Sequence, residues 1–496
     1  MVENYRNILK KYFEDYSLVE SNINSFNRFM DKGIQQIVNE TQDIIPTIIP
    51  QEVSDFKIKL GKVEISKPRL VEADGSKRDV YPMEARMRKL TYSSPIMINI
   101  SVFVEGVEKE SFKTLIGKIP VMVRSKYCHL WGQNKEGLVK YHEDPNDLGG
   151  YFILNGNERV LIIVEDLASN KLFVERSKVG PSKFVGKIFS ETNSYRIPHT
   201  LEQMKDGVIY MTFTRFRRIP IILLLRALGL TRDNEIRDMI TKDTFYDDDL
   251  FINLYEGKDI KTQKEAAEVV AKKIGIPQIE EDSSERVLEM LDRYFLPHIG
   301  TKKEDRISKA HNLCKYIKRF MAISKGEASV SNKDHYANKR LKLSGDLLAD
   351  LFRVNLRALV QDIVYNFQRL VKRGKFQSMK IIIRDQLLTN RIKSAMATGS
   401  WVGGRKGISQ NIDRTNFIAT VSHLQKVVSL LSSSQENFEA RTLNPTHWGR
   451  LCPVETPEGT PIGLRKNLSI TSEISVECSQ LDKLKKTLAG YGLEDG

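Results

Sequence analysis

The chain has 496 residues, of which 41% are hydrophobic and 28% charged, proportions that fit a folded globular protein and exclude a disordered or fibrous one. That length exceeds one compact core, so two to four domains are expected, and no apolar run approaches the ~20 residues needed to cross a bilayer. The net charge of +14 is concentrated: residues 302–342 hold twelve Lys or Arg against four acids, and residues 369–406 hold ten against Asp385 alone. Such clusters suit a surface that follows a phosphate backbone, and taken alone they suit solvated helix faces equally well.

The first forty residues read as helical. Leu18, Ile23, Phe26, Phe29, Met30, Ile34, Ile37 and Val38 recur at helical spacing, and Ser17 is placed to cap the second helix. From Phe56 to about Leu172 the pattern turns to strands. Phe56–Leu60 alternates apolar and polar, Asp74-Gly75 marks a tight turn, and Tyr151–Leu154, Asn155-Gly156 and Arg159–Val164 spell strand, turn, strand. Residues 173–330 look like a separate unit, with a strand at Val208–Phe213 and helix-rich sequence from Ile221 onward. The apolar stretch Ile219–Leu225 stops at Arg226. A helix is expected over Arg306–Lys325, with Ile307, Ala310, Leu313, Ile317, Phe320 and Met321 on one side, and a long amphipathic helix over Ser344–Lys372. From Thr398 onward Gly399, Gly403, Gly404, Gly407, Gly449, Gly459 and Gly463 interrupt the chain, predicting loops on a short scaffold.

Several chemistries have no motif here. The phosphate-binding G-x4-G-K-[ST] loop, H-E-x-x-H and G-x-S-x-G are all missing. Cys128, Cys314, Cys452 and Cys478 stand singly, so reduced, mostly buried thiols are expected and no zinc ribbon. Asp247-Asp248-Asp249 invites comparison with carboxylates that hold two Mg²⁺, but consecutive aspartates diverge where a metal needs convergence; a solvated loop or helix start is expected. His129, His335, His423 and His447 read as hydrogen-bonded structural residues. Met1–Arg6 lack a basic region followed by an apolar one, so no secretory signal is read and the expected location is cytoplasmic.

The most specific stretch is Arg441–Gly459, R-T-L-N-P-T-H-W-G-R-L-C-P-V-E-T-P-E-G, continuing through Pro461–Leu468. Its prolines and glycines enforce an extended, turning loop that a helix could not replace. Arg441, Arg450, Arg465 and Lys466 are charges able to meet phosphates, and Glu455 and Glu458 could orient those cations or merely pair with them to stiffen the loop. This stretch resembles the signature of the second-largest, beta-type subunit of multisubunit DNA-directed RNA polymerases. Ile119–Cys128, Asp147–Val160, Ile219–Gly229 and Lys333–Leu341 are similar to further segments of that family, in the family's order.

The resemblance implies a mixed α/β multidomain architecture: a protrusion at about 1–170 and 345–397, a lobe at 171–344 and a fork at 398–496. It implies that Arg405, Lys406, Gln410, Asn411, Arg414, His423, Lys426, Arg441, Glu458, Arg465 and Lys466 bind nucleic acid or lie near the active centre. Ser432–Asn437 resembles a loop facing downstream DNA. The implied activity is template-directed RNA synthesis from ribonucleoside triphosphates by an assembled enzyme. This chain would hold template DNA and the RNA–DNA hybrid, with no catalytic residue or cofactor of its own. Mg²⁺ at the active centre would belong to another subunit. The implied partners are a companion C-terminal half of the same subunit, the largest subunit with the rest of the polymerase, the DNA template and the RNA transcript, without a membrane. The resemblance stops halfway through the family's length, which suits the split archaeal subunit, B double prime; a piece of an undivided subunit would look similar. Two rival readings are a stand-alone nucleic-acid-binding protein and a purely structural assembly subunit.

Overall fold

The computed structural model describes residues 2–41, 43–49, 53–72, 74–177, 181–192, 195–276, 283–374, 378–475 and 481–493. Helix and sheet are mixed, and the chain divides into two compact units, Met1–Asp166 with Leu341–Gly496, and Leu167–Arg340.

In the first unit, helical segments Glu20–Arg28 and Ile34–Glu40 are joined by a π-helical turn, Phe29–Gly33, so Ile23, Phe26, Phe29, Met30, Ile34, Ile37 and Val38 share one buried face, while Leu18 precedes the helix and is half-buried. Ser17 does not cap this rod. The helix starts three residues later, at Glu20, and Ser17 instead accepts the Glu20 N–H through its carbonyl at 3.0 Å. Strands Phe56–Ile65, Ser93–Val104 and Val107–Pro120 form an antiparallel sheet in the order of the chain. The Asp74-Gly75 turn links the short strands Arg69–Val71 and Lys77–Asp79.

The expected hairpin is present as β1 (Phe152–Leu154) and β2 (Asn157–Leu161). Asn155 and Gly156 both adopt positive φ, 51° and 80°, as a two-residue turn matched to strand twist requires. The second strand does not run through to Val164 in one piece. It breaks at Ile162, whose N–H donates to Ile408 O at 3.0 Å, and resumes as β3 (Ile163–Leu167) in a different sheet. The long helix α1 (Ser344–Lys372) has the bounds read from the sequence, with Leu347, Leu348, Leu351, Leu356, Leu359, Ile363 and Phe367 buried. It touches the N-terminal rod backbone to backbone: a Cβ on Gly345 would lie 2.1 Å from Ser25 O. Helix α2 (Asp385–Thr398) packs on the strand Val107–Pro120, and Thr389 Oγ1 accepts the Lys118 N–H at 2.9 Å. Beyond it come β4 (Ser409–Asn411), α3 (Phe417–Leu424), β5 (Lys426–Ser429) and β6 (Arg465–Asn467). Trp401, Ile408 and Leu424 join the same core as the N-terminal rod and the hairpin.

The second unit carries a five-stranded antiparallel meander, Leu172–Arg176, Phe184–Glu191, Arg196–Gln203, Ile209–Phe213 and Phe216–Pro220, of which the sequence reading had recognised one strand. Helices cover it. Ile221–Ala227 is buried on every side, which explains the unbroken apolar run Ile221–Leu225; its one charged residue, Arg226, is buried as well and paired with Asp233. The helix Arg306–Ser324 buries Ala310, Leu313, Ile317, Phe320 and Met321, while Ile307 stays exposed. Asp247–Asp249 begin the helix Asp247–Tyr255. No helix of the described residues is long and apolar enough to cross a membrane.

Candidate nucleic-acid interface

The segment that follows α2 is held by strand pairing to the hairpin. β4 pairs antiparallel with β2; β5 lies parallel to β3, Val427 opposite Ile163, and antiparallel to β6, Val427 opposite Lys466. Four ion pairs reinforce these joints. Lys466 Nζ donates to both Glu165 oxygens at 3.2 and 3.0 Å, with both residues buried. Arg405 Nη2 donates to Asp166 Oδ2 at 3.2 Å. Arg414 Nε donates to Glu158 Oε2 at 2.7 Å, its Nη2 lies 3.6 Å from Asp147, and its guanidinium sits 4.8 Å from the Tyr151 ring centre.

Arg86 approaches the same cluster, donating to Glu158 at 2.7 Å, to both Glu143 oxygens and to the Tyr151 hydroxyl at 2.6 Å. Burial works against the charge on Glu158, but the Arg414 hydrogen bond and the charges of Arg414 and Arg86 outweigh it and hold this carboxyl below its usual value. On Glu143 burial wins over Arg86 and pushes the carboxyl up. The sequence reading had singled out only Arg414 of this cluster. Its partner Glu158 is 256 residues away and lies with Asp147 and Tyr151 inside the stretch Asp147–Val160, whose local pattern does not mark them as partners of Arg414.

The signature loop is braced from within. Arg441 donates to Thr460 O at 2.6 Å, Ile462 O at 3.0 Å, Ser433 O at 2.7 Å and Gln435 O at 3.2 Å, tying the run Ser432–Asn437 to the end of the signature. Four of its five N–H groups are therefore committed to carbonyls. Gly463 has φ 72° and passes so close that a Cβ would lie 2.2 Å from Arg441 O. Thr456 Oγ1 donates to Arg465 O at 3.0 Å and accepts the Gly463 N–H at 2.9 Å. Glu455 accepts from Ser422, Glu458 is exposed without a hydrogen bond, and neither glutamate pairs with a cation among the described residues. The expected pairing with the loop's arginines is absent among the described residues: Arg441 is engaged by carbonyls, Arg450 donates to Thr446 O at 3.2 Å, and Arg465 is exposed without either glutamate.

His423 is buried at the end of α3. Its Nδ1 accepts the Asp413 N–H and its Nε2 donates to Gln410 Oε1, both at 3.1 Å, which fixes the neutral tautomer. Burial, then the nearby Lys426 charge, lowers its pKa, with Asp413 opposing. Gln410 donates onward to Gly407 O at 3.0 Å. Lys406, Asn411 and Arg465 are exposed and Lys426 is half-exposed. Lys406, Lys426 and Arg465 make no side-chain hydrogen bond or ion pair among the described residues. Exposed apolar side chains, Phe417, Ile418, Phe438, Trp448 and Val454, lie along the same segment.

A metal does not fit the donor sets. No group of three or more His, Cys, Asp or Glu among the described residues could hold one. Asp247 is held by Arg237 at 2.9 Å, Asp249 by Lys325 at 3.2 Å, and Asp248 is exposed, so these carboxylates diverge. Cys128 and Cys314 are buried, and burial pushes the Cys314 thiol up to about 12. Cys452 is half-buried, and Cys478 lies outside the described residues.

A family model described as RNA polymerase beta subunit matches residues 17–390, and a second, described as RNA polymerase Rpb2, domain 3, matches residues 410–474. The chain belongs to the RNA polymerase beta-subunit family. Among relatives of that family, DNA-directed RNA polymerase subunit Rpo2 of Saccharolobus solfataricus is 39% identical over 488 residues, covering 98% of this chain and 43% of the relative. The chain thus spans less than half the length of that protein. Subunit Rpo2N of Methanocaldococcus jannaschii is 39% identical over 497 residues, covering 98% of this chain and 99% of the relative. Subunit Rpo2N of Halobacterium salinarum is 40% identical, covering 99% and 96%. Of the candidate residues, Gln410 through Lys466 fall within the second family match, while Arg405 and Lys406 lie between the two.

Proposed function

We propose that this chain is the N-terminal half of the beta-type subunit of a DNA-directed RNA polymerase. In that role it holds template DNA and the RNA–DNA hybrid while RNA is made from ribonucleoside triphosphates. The observation that carries the reading is the division of labour among its cations. Arg405, Arg414, Arg441 and Lys466 are consumed in building the segment, while Lys406, Lys426 and Arg465 are left to meet phosphates. Such contacts position a duplex or hybrid without reading its sequence, and they weaken as salt rises. Asn411 is exposed in the same segment, Gln410 is half-buried and tied to His423 and Gly407, and Glu458 stands exposed on the signature loop.

The chemistry is attack of the RNA 3′-hydroxyl on the α-phosphate of a nucleotide with release of pyrophosphate, and it is performed by the assembled enzyme. Mg²⁺ at that centre would stabilise the phosphoryl charge from another subunit. This chain's part is to fix the strands' position and to keep His423 neutral between Asp413 and Gln410, so that the base of the segment stays rigid. In this reading the residues about 1–170 and 345–397 form the protrusion, 171–344 the lobe and 398–496 the fork. The two-unit division, with its second unit at Leu167–Arg340, supports the lobe as an insertion. The exposed Phe417, Ile418, Phe438, Trp448 and Val454 support a protein partner beside the nucleic acid, the companion C-terminal half or the largest subunit. The cytoplasm is the compartment in which this assembly works.

The test is template-dependent RNA synthesis by polymerase assembled with and without the chain, and with Lys406→Gln/Lys426→Gln/Arg465→Gln. Omission is expected to abolish synthesis, and the triple substitution to shorten the lifetime of elongation complexes tenfold or more at 150 mM salt. Unchanged lifetimes would favour the scaffold reading, to which the internal engagement of Arg441 and Lys466 lends weight.

A further inference from the structure

A second basic site lies in the first unit, between α2 and the edge of the hairpin. A cavity of about 320 Å³ is lined by Lys89, Lys118, Lys393, Asn155, Gln386 and Asn390 over a floor of Leu70, Val80 and Leu90. Arg69 also lines it but is held by Asp79 at 3.1 Å. The three lysines make no side-chain hydrogen bond or ion pair among the described residues, and no carboxylate lines the cavity. A second cavity of about 340 Å³ shares Gln386 and Asn390 and adds Arg391, likewise unpaired.

The lining is fixed by the backbone around it. Lys89 sits in the left-handed region at φ 52°, and the next residue, Leu90, donates to Ala85 O at 2.8 Å and accepts the Gly156 N–H at 3.0 Å. Thr91 Oγ1 donates to Asn155 Oδ1 at 3.1 Å, and Thr389 holds the Lys118 N–H. Three lysines lining one cavity, with the amide side chains of Asn155 and Asn390 beside them and no carboxylate in the lining, form a site for a multiply charged oxyanion. The apolar floor suits the carbon skeleton attached to it.

We propose that this cavity binds the phosphate of a nucleotide unit, carried either in a nucleic-acid backbone or by a free nucleotide. The inference does not rest on the reading of residues 398–470, from which these lysines are separate in sequence.

The experiment is lysine footprinting of the full chain by reductive methylation and mass spectrometry, with a single-stranded oligonucleotide, a nucleoside triphosphate or inorganic pyrophosphate as probe. Selective protection of Lys89, Lys118 and Lys393 is expected. Protection by the oligonucleotide alone identifies a backbone track; protection by the small phosphates identifies a free-nucleotide site. Affinity for the protecting probe should fall at least fivefold in Lys89→Gln/Lys118→Gln/Lys393→Gln. For an oligonucleotide, the log–log salt slope should flatten by roughly 2. If no probe protects these lysines the proposal is overturned, whatever the variant does. Protection confined to Lys406 and Lys426 would overturn it while leaving the interface intact.

Discussion

The two units bury a lysine each and treat it in opposite ways. In the first unit Lys466 is sealed against Glu165, 301 residues earlier, so a full ion pair joins two distant strands. In the second unit Lys309 is wholly buried and forms no ion pair among the described residues; it donates to Leu291 O and Asp292 O at 3.2 and 2.7 Å, and burial, opposed by the charges of Asp292 and Asp305, lowers its pKa to about 8. The neighbouring His199 is likewise buried and lowered by burial to about 4. Lys466 is therefore held by a matched charge, whereas Lys309 is held by backbone carbonyls and stays mostly protonated at neutral pH, and His199 is kept neutral by burial.

The largest expected effect attacks the matched pair. Lys466→Ala leaves Glu165 charged and buried, and should cost about 3–5 kcal/mol in chemical denaturation of the first unit. Lys466→Met with Glu165→Leu should recover most of that loss; a double variant as unstable as the single one would remove the ion-pair account. Next comes acid. A histidine at pKa 4 in the fold and 6.5 unfolded contributes stability in its neutral form that is lost as pH falls from 6.5 toward 4, amounting to roughly 2 kcal/mol at pH 5. Hydrogen exchange should show Arg196–Gln203 losing protection between pH 7 and 5, and His199→Gln should flatten that dependence. Glu158, lowered in the first unit, gives up its contribution only as pH falls below 4.5, and the buried His423 shifts in the same direction as His199.

A smaller effect belongs to Arg441→Lys. It keeps the charge but cannot span four carbonyls, so a loss of about 1–2 kcal/mol is expected, read as faster proteolysis within 432–463. Smallest is Lys426→Ala, expected to change stability by less than about 0.5 kcal/mol while shortening elongation-complex lifetimes. Equal effects of Arg441→Lys and Lys426→Ala on both readouts would erase the distinction between bracing and contacting cations.

The elements that were legible carry local signals. The helices at 306–324 and 344–372 announce themselves by periodicity, and the Asn155-Gly156 hairpin by turn chemistry. The meander at 172–220 was mostly missed because Arg196–Gln203 mixes Pro, His and Glu into its alternation, and its apolar side is set by pairing across the sheet. In the candidate interface, the sequence names the cations but cannot say which of them are engaged within the fold. Lys466 and Lys426 look alike in the chain; only the position of Glu165 makes one a buried strut and leaves the other available. The Arg86 cluster and the three-lysine cavity were illegible for the same reason, being assembled from segments scattered over the chain.

The parallel pairing of β3 with β5 has a consequence for biosynthesis. Val427, the partner of Ile163, follows it by roughly 260 residues. At about 5–20 residues per second, the ribosome takes on the order of tens of seconds to deliver it. For that interval the edge of β3 that receives β5 is an open template, its other edge being taken by Lys339–Lys342 once that strand is made, and the whole of Leu167–Arg340 emerges while it waits. The nascent chain is most exposed to mispairing with its neighbours on a polysome during this window, so slow translation or a missing chaperone should reduce the yield of this chain through β3 before any mature contact is tested.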